Sequence, residues 1–213
     1  MSRQLLLATV AAITIVASII WIDQPLALWI EAHQTEWLSN VGSWLEEAGK
    51  SHWVLIYCVI MIAITWRSTR SMAYKFLALF ASVAASGLLA NLIKMIVCRP
   101  RPPLFIQQGI THWNVFGFQI DYIWNSFPSG HATTGLAIAI SGAAIYPRLR
   151  WLFWSIGMAI ALGRLAINAH YLSDVIAGGL LGAVVAMLVN DFLAKSLAKS
   201  LAKSLKESLA NPL

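Results

Sequence analysis

Long apolar runs separated by short polar segments dominate the chain. A helix needs about 20 mostly apolar residues to cross a bilayer, and six segments approach that length. The predicted spans are Leu5–Ile22, Trp53–Trp66, Phe76–Val97, Ala132–Tyr146, Leu152–Ile167 and Val175–Leu193. The second and fourth are short, so they draw on flanking residues or lie where the bilayer is thinned. The pattern predicts an all-α integral membrane bundle of six transmembrane helices.

Two further segments have an amphipathic pattern. Leu26 to Gly49 carries tryptophans, leucines and scattered acids, which favours interfacial helices on the outer side. Such a helix either caps the bundle or guides a lipid towards a site. Residues 193–213 repeat Leu-Ala-Lys-Ser and predict a basic amphipathic helix on the cytoplasmic surface, with a frayed tail as the alternative. No other repeat or linker divides the chain, so we expect one domain over residues 1–213.

Composition supports a membrane protein, because 59% of the 213 residues are hydrophobic and only 11% are charged. Cys58 and Cys98 lie in or beside apolar segments, so we expect packed free thiols rather than a disulfide. The five histidines lack the Cys/His or His-Glu spacing that is typical of zinc sites. The sequence therefore predicts no metal and no other cofactor.

The charge distribution predicts an orientation. Arg3 precedes an apolar run that resembles a cleavable secretion signal, but the run continues to Ile22, so we expect a retained anchor. With both termini cytoplasmic, ten of the fifteen basic residues lie inside, as the positive-inside rule requires. These ten are Arg3, Arg67, Arg70, Lys75, Arg148, Arg150, Lys195, Lys199, Lys203 and Lys206. We expect the inner membrane of a bacterium, with the remaining cations near the outer side.

The first polar motif follows the third span. Lys94 lies at its end, and the prolines at 100, 102 and 103 stop the helix, so Arg101 lies in a stiff turn just outside it. The two cations can then approach one anion from different elements. Snorkelling of Lys94 towards the membrane surface is the alternative interpretation.

The second motif, Pro128-Ser129-Gly130-His131, stands where the fourth span begins. Serine is a favoured N-cap, glycine lets a ligand approach the backbone, and the start of a helix suits phosphate oxygens. His131 then lies at the rim of an anion site. Simple capping beside an interfacial histidine is the alternative.

The third motif places His170 four residues before Asp174, so on a helix the carboxylate orients one ring nitrogen and aims the other outward as a nucleophile. Arg164 lies on a different face of a continuous helix. We therefore expect a helix break near Asn168. A structural Asp–His pair that joins two helices is the alternative, but it leaves Arg164 unexplained.

Together the motifs read Lys, six residues, Arg-Pro; then Pro-Ser-Gly-His; then Arg, five residues, His, three residues, Asp. This order resembles the signature of the type 2 phosphatidic acid phosphatase family, the membrane branch of a superfamily with soluble acid phosphatases and vanadium haloperoxidases. Gly163 stands where the family usually has serine, which puts one auxiliary phosphate hydrogen bond in doubt.

The resemblance implies a metal-independent lipid phosphatase. In it, His170 forms a phosphohistidine, Asp174 orients that histidine, and His131 protonates the leaving oxygen. The phosphate oxygens are bound by Lys94, Arg101, Ser129, Gly130 and Arg164. The chemistry is consistent with these residues, since phosphoryl transfer depends mostly on positioning and electrostatic stabilisation.

The predicted topology brings the three motifs to the periplasmic side, at headgroup level. We expect the partners to be the lipid bilayer and a membrane lipid phosphate, and no nucleic acid. Phosphatidic acid, phosphatidylglycerol phosphate, undecaprenyl diphosphate and a lipid A phosphate all fit as substrates. Residues 104–127 are expected to line the entrance, and the sequence assigns no role to His112 or Asp121.

Three rival functions remain. A permease or channel needs polar residues along a route through the bilayer, and the apolar runs offer almost none. A catalytically inactive lipid-binding relative would be expected to lack His170 or Asp174, and both are present. A vanadate-binding peroxidase of the same superfamily is disfavoured because those proteins are soluble.

Overall fold

A computed structural model describes residues 3–210, and the regular elements of these residues are helices. They are α1 (Arg3–Ala17), α2 (Asp23–His33), α3 (Glu36–Ala48), α4 (Ser51–Ser68), α5 (Arg70–Val97), α6 (Pro102–Gln108), α7 (Gly130–Ile145), α8 (Arg150–Ala166) and α9 (Leu172–Ala210). Among these residues, five helical segments are long and apolar enough to cross a membrane, and α7 is a shorter apolar helix. The predicted all-α membrane bundle is confirmed.

The first membrane helix is longer than its predicted span. Instead of ending at Ile22, it passes through a π-helical turn, Ser18–Ile22, and continues as α2 to His33. Pro25 does not end it, and this residue lies in the first turn after the π-helical segment. The segment predicted as interfacial helices is therefore divided between this continuation and α3.

Helix α3 is a separate element whose start is capped by Thr35, since the Thr35 hydroxyl accepts from the Leu38 amide at 3.3 Å. It packs against α8. At the other end of the chain, α9 runs without interruption from Leu172 to Ala210 and includes most of the predicted basic tail. Residues 211–213 of that tail lie outside the described residues.

Helix α7 is the centre of the bundle, with α5, α8 and α9 packed around it. Small residues allow close approach: a Cβ built on Gly157 of α8 would lie 2.3 Å from the Gly135 carbonyl oxygen of α7. Gly182 of α9 similarly meets the Thr133 carbonyl. Both cysteines are buried free thiols, as predicted.

The polar motifs lie where four helix termini meet at one end of the bundle. Helix α5 ends at Val97, and Cys98 adopts a left-handed conformation with φ 42° that turns the chain towards Arg101. Helix α8 ends at Ala166, and Asn168 has φ 53°, which confirms the predicted break. Arg164 therefore closes α8, while His170 leads into α9.

The contact between α7 and α8 generates a stability prediction. Gly157→Ala should lower the free energy of unfolding by about 1–3 kcal/mol, because its methyl group would push against the backbone of α7 rather than a movable side chain. Thermal unfolding in detergent measures the effect. Gly87→Ala is the control, since a Cβ on Gly87 meets nothing within 4 Å and alanine favours a helix. Equal midpoints for the two variants would contradict the packing.

Candidate active site

Lys94 and Arg101 converge on one backbone carbonyl. The Lys94 ammonium donates to the Asn125 oxygen at 2.8 Å, and Arg101 Nη2 donates to the same oxygen at 3.1 Å. The guanidinium of Arg101 also lies over the Tyr122 ring, 3.7 Å from its centre. Since Arg101 extends from the turn between α5 and α6, the first motif brings both cations together as predicted.

His170 is held between Arg101 and Asp174. Its Nε2 lies 3.2 Å from Arg101 Nη1, and its Nδ1 lies 3.4 Å from Asp174 Oδ2, longer than a normal hydrogen bond. Because a guanidinium only donates, Nε2 accepts and the ring proton resides on Nδ1, facing the carboxylate. His170 does not lie on a helix but two residues before α9, so the predicted pair forms through the turn instead of along one helical face.

The Asp174 carboxylate is fully buried and has three further donors. Arg99 Nη1 donates to Oδ1 at 2.6 Å, the Ser126 hydroxyl to Oδ2 at 2.5 Å, and the Tyr171 amide to Oδ2 at 3.0 Å. These contacts keep the carboxylate ionised and fix its direction, because each hydrogen bond favours the charged form.

The second motif begins α7 as predicted. Ser129 is its N-cap, with the hydroxyl accepting from the Ala132 amide at 3.4 Å, while the Ser129 amide donates to the Asp174 carbonyl at 2.9 Å. A Cβ on Gly130 would meet nothing within 4 Å, so the backbone there is open to a ligand. The capping role, which was the simpler interpretation of Ser129, is therefore present.

Two side chains of the site, His131 and Arg164, are joined by Glu46 of α3. Arg164, which is 1% exposed, forms an ion pair with the Glu46 carboxylate at 2.9 Å, and His131 Nε2 lies 3.0 Å from the Glu46 carbonyl. Arg164 Nη2 also reaches the Tyr122 hydroxyl at 3.5 Å. A chain of contacts thus links His131 to Arg164, and through Tyr122 to the remaining cations.

Close packing of α3 on α8 places Glu46 there. A Cβ on Gly42 would lie 2.3 Å from Ile167 Cγ2, and one on Gly163 would lie 2.9 Å from Leu45 Cβ. The glycine at 163, where the resembled family usually has serine, therefore allows α3 to approach. A serine would have to displace Leu45.

Two clefts open beside these residues. One, of about 380 Å³, is lined by Lys94 and Arg101 together with Asn91, Met95, Ile120, Tyr122 and Asn125. The other, of about 230 Å³, is lined by Gly130 and His131 together with Gly49, Lys50, Ser51, His52, Gly87, Asn91 and Thr134. Asn91 of α5 borders both. Three residues of the predicted entrance segment, at 120, 122 and 125, line the first cleft.

Sequence reasoning missed several residues of the site. Glu46 and Asp23 were not identified, and Arg99 was counted only among the outer cations. A lone carboxylate at the end of an apolar run, as at Asp23, was the available signal. Of the two residues without a role, Asp121 accepts at its backbone carbonyl from the Asn125 side-chain amide at 2.9 Å, and the His112 ring lies against the Trp124 ring.

The surroundings of His170 disfavour its protonation. Burial and the positive charge of Arg101 lower the pKa of His170 well below its usual value, although Asp174 opposes the shift and Lys94 adds to it. A neutral imidazole, in which Nε2 carries a lone pair, is the form of histidine that attacks an electrophile. The geometry and the charge state are therefore consistent with nucleophilic chemistry.

Comparisons with known proteins found a matching family and several relatives. A model of the PAP2 superfamily matches residues 75–197, which include the three motifs. A lipid A 1-phosphatase of Rhizobium johnstonii is 34% identical over 171 residues, covering 74% of this chain and 69% of that protein. A lipid A 1-phosphatase of Rhizobium etli is 38% identical over 117 residues, which is 55% of this chain and 50% of that relative.

Two crystal structures have a similar fold. Aquifex aeolicus LpxE aligns with a TM-score of 0.62 at 17% identity, over 80% of this chain and 95% of its own. A PAP2-type phosphatidylglycerolphosphate phosphatase from Bacillus subtilis aligns with a TM-score of 0.60 at 18% identity, over 88% of this chain and 96% of its own. At these identities the likeness concerns the fold alone.

The environment of His170 predicts a pH-dependent stability. A histidine whose pKa is lowered by folding contributes stability that is present above its unfolded pKa, about 6.5, and is lost as the pH falls towards the folded value. The thermal midpoint of the parent protein in detergent should therefore fall more steeply below about pH 6.5 than that of His170→Asn. The same substitution at His33, exposed on α2, is the control. Parallel curves for the parent and His170→Asn would contradict the shift.

Proposed function

The chain belongs to the PAP2 superfamily as a membrane lipid phosphatase, and we propose that it hydrolyses its substrate without a metal ion, through a phosphohistidine on His170. The family match confirms the resemblance drawn from the motifs. The observation that carries the proposal is the placement of His170 Nε2 3.2 Å from Arg101 Nη1, with Asp174 behind the ring. A nucleophile, its orienting carboxylate and a cation for phosphate oxygens thus occur together.

In the proposed first step, His170 Nε2 attacks phosphorus as the bond to the leaving oxygen breaks. Asp174 stabilises the positive charge that develops on the imidazole, since it faces Nδ1. His131 donates a proton to the leaving lipid oxygen, and the Glu46 carbonyl fixes its ring. Water, activated by His131, then attacks the phosphohistidine, which releases phosphate and restores His170.

Cations supply the electrostatic stabilisation in this proposal. Lys94, Arg101 and Arg164 surround the position of the phosphoryl group, and Ser129 and Gly130 contribute the start of α7. Arg164 Nε has no hydrogen-bond partner among residues 3–210, so it is available to a phosphate oxygen. Fixed charges in a site of low dielectric constant stabilise the transferring group strongly.

As the substrate we propose a lipid A 1-phosphate or a closely related headgroup. The support is the match to two lipid A 1-phosphatases at 34% and 38% identity. Phosphatidic acid, phosphatidylglycerol phosphate and undecaprenyl diphosphate remain the competing substrates. A cleft of about 380 Å³ beside Lys94 and Arg101 suits a headgroup that enters from the side of the bundle.

We place the site on the periplasmic side of a bacterial inner membrane, with both termini cytoplasmic. The support is the charge distribution, because the turn between α4 and α5 and the one between α7 and α8 carry arginines and lie at the end of the bundle opposite the site. One domain over the whole chain remains our proposal for its organisation.

Activity in the presence of a chelator tests the mechanism. The purified protein in detergent should release phosphate from lipid A 1-phosphate with EDTA present, and vanadate should inhibit it. The three competing lipids, assayed side by side, should be hydrolysed more slowly. His170→Ala should lower kcat by roughly 10³-fold or more, because no other group replaces the nucleophile.

The control for that substitution is His33→Ala, which should retain activity, because His33 is exposed on α2 and contacts its own helix. Loss of activity in EDTA that returns on adding a divalent metal would refute metal independence. Turnover of His170→Ala at the parent rate would refute the phosphohistidine.

The Glu46–Arg164 pair generates a separate prediction. A phosphate that binds Arg164 has to compete with the Glu46 carboxylate, so Glu46→Gln should tighten vanadate inhibition by about two- to fivefold. Glu47→Gln is the matched control, because the neighbouring Glu47 pairs with Lys50 instead. The inhibition constant of each variant provides the measurement, and weaker inhibition of Glu46→Gln would show that the carboxylate assists anion binding.

A further inference from the structure

Asp23, at the start of α2, is a buried carboxylate that the proposed reaction does not use. It is 1% exposed and lies outside residues 75–197, the part of the chain that matches the family model. Burial of a carboxylate costs free energy unless charged or hydrogen-bonding partners compensate it. The partners of Asp23 also contact residues of the site.

Arg99 connects Asp23 to Asp174. Its Nη2 donates to Asp23 Oδ2 at 2.7 Å and its Nη1 donates to Asp174 Oδ1 at 2.6 Å, so one guanidinium bridges the two carboxylates. The side chain is 5% exposed, and it lies over the Tyr171 ring, 4.1 Å from its centre. A planar fork with two donor directions is specific to arginine.

Asp23 also holds the beginning of α9. The Ser173 amide donates to Oδ1 at 3.0 Å and the Ser173 hydroxyl to Oδ2 at 2.5 Å. Ser173 is adjacent to Asp174 in sequence. The direction of the Asp174 side chain is therefore set from two sides, by Arg99 and by the backbone that Asp23 binds.

A second contact from α2 is made near the start of the turn that connects α8 to α9. Asn168, which has a left-handed backbone, donates to the Ala27 carbonyl at 2.9 Å and to the Glu31 carboxylate at 3.2 Å. Asp23, Ala27 and Glu31 are spaced by four residues, so they share one face of α2. This face of α2 therefore contacts both ends of the turn of residues 167–173, which contains His170.

The π-helical turn gives α2 the register for these contacts. The buried positions along this helix are Ser18, Asp23, Ala27 and Ile30. The step from Ser18 to Asp23 is five residues, whereas the later steps of four and three are those of an ordinary α-helix. Without the extra residue the inward position would be Ile22, which is 42% exposed instead. π-turns of this kind are frequent at functional sites.

We propose that α2 is a positioning element for the nucleophile, in which Asp23, acting through Arg99 and Ser173, fixes the Asp174 carboxylate and the His170 turn for attack. This inference rests on the proposed role of His170. Asp23 and Arg99 touch no substrate in this scheme, so they are positioning residues. A purely structural role, in which Asp23 only anchors the first helix to the bundle, is the alternative that the experiment has to distinguish.

Two variants test the proposal in the full-length protein. Asp23→Asn keeps the shape and the acceptor for the Ser173 amide but removes the charge that holds Arg99. Arg99→Lys keeps a positive charge beside the buried carboxylates, which limits the loss of stability, but an ammonium group does not bridge both carboxylates as the guanidinium does. For both, kcat towards the lipid phosphate should fall roughly 10- to 100-fold while KM stays nearly constant, because the reacting atoms are misplaced and the phosphate-binding cations are intact.

Hydrogen exchange provides a readout that needs no substrate. Peptides covering residues 167–173 should exchange faster in Asp23→Asn and Arg99→Lys than in the parent protein, since the turn loses contacts that hold it against α2. Gly157→Ala is the control for stability, because it strains the contact between α7 and α8 ten residues before the turn and leaves Asp23, Arg99 and Ser173 unchanged. It should leave both kcat and exchange in the turn unchanged.

The outcomes distinguish a positioning role of Asp23 from a purely structural one. Unchanged exchange over residues 167–173 in both variants, or a kcat loss no larger than that of Gly157→Ala, would overturn the positioning role. A parent protein that releases no phosphate from any of the four lipids would refute the proposed function. In that case the exchange measurement still decides whether contacts from α2 stabilise the turn of residues 167–173.

Discussion

The geometry of the site depends on the hydrogen bonds and ion pairs to the buried Asp174 carboxylate. Arg99 from the turn after α5 and Ser126 from the segment between α6 and α7 donate to its oxygens, at 2.6 and 2.5 Å. Its own carbonyl accepts from the Ser129 amide at the start of α7. An uncompensated charge at this position would cost several kcal/mol, so each segment is held in place by the requirement to satisfy it. The three motifs are thus joined behind His170, away from the clefts.

Local signals are the reason that much of this arrangement could be predicted from sequence. Apolar runs determine which segments cross the bilayer regardless of tertiary contacts, because lipid is the solvent for all of them. Prolines ended α5 before Arg101, and the different faces of Arg164 and His170 required the break that occurs at Asn168. Such features depend on a few neighbouring residues. The family resemblance then supplied the roles that spacing alone left open.

Contacts between distant segments could not be predicted in the same way. Asp23 faces inward only because a π-turn adds one residue before it, and nothing in the hydrophobic pattern of an almost uniformly apolar helix marks that insertion. Glu46 reaches Arg164 only because Gly42 and Gly163 let α3 approach α8. A glycine in a membrane helix does not indicate which helix it meets. Both carboxylates come from segments that precede the matched family region.

The cations of the site all have oxygen partners within the protein, and these oxygens shape the chemistry available to them. Lys94 and Arg101 share the Asn125 carbonyl, while Arg164 pairs with Glu46. A carbonyl is neutral and exchanges readily for a phosphate oxygen, whereas a carboxylate competes as an anion. In the proposed mechanism, phosphate binding at Lys94 and Arg101 therefore replaces a neutral carbonyl by an anion and gains charge pairing, whereas binding at Arg164 exchanges one anion for another. The position of α3 consequently determines how strongly Arg164 takes part, which connects the packing of two glycines to the electrostatics of phosphate binding.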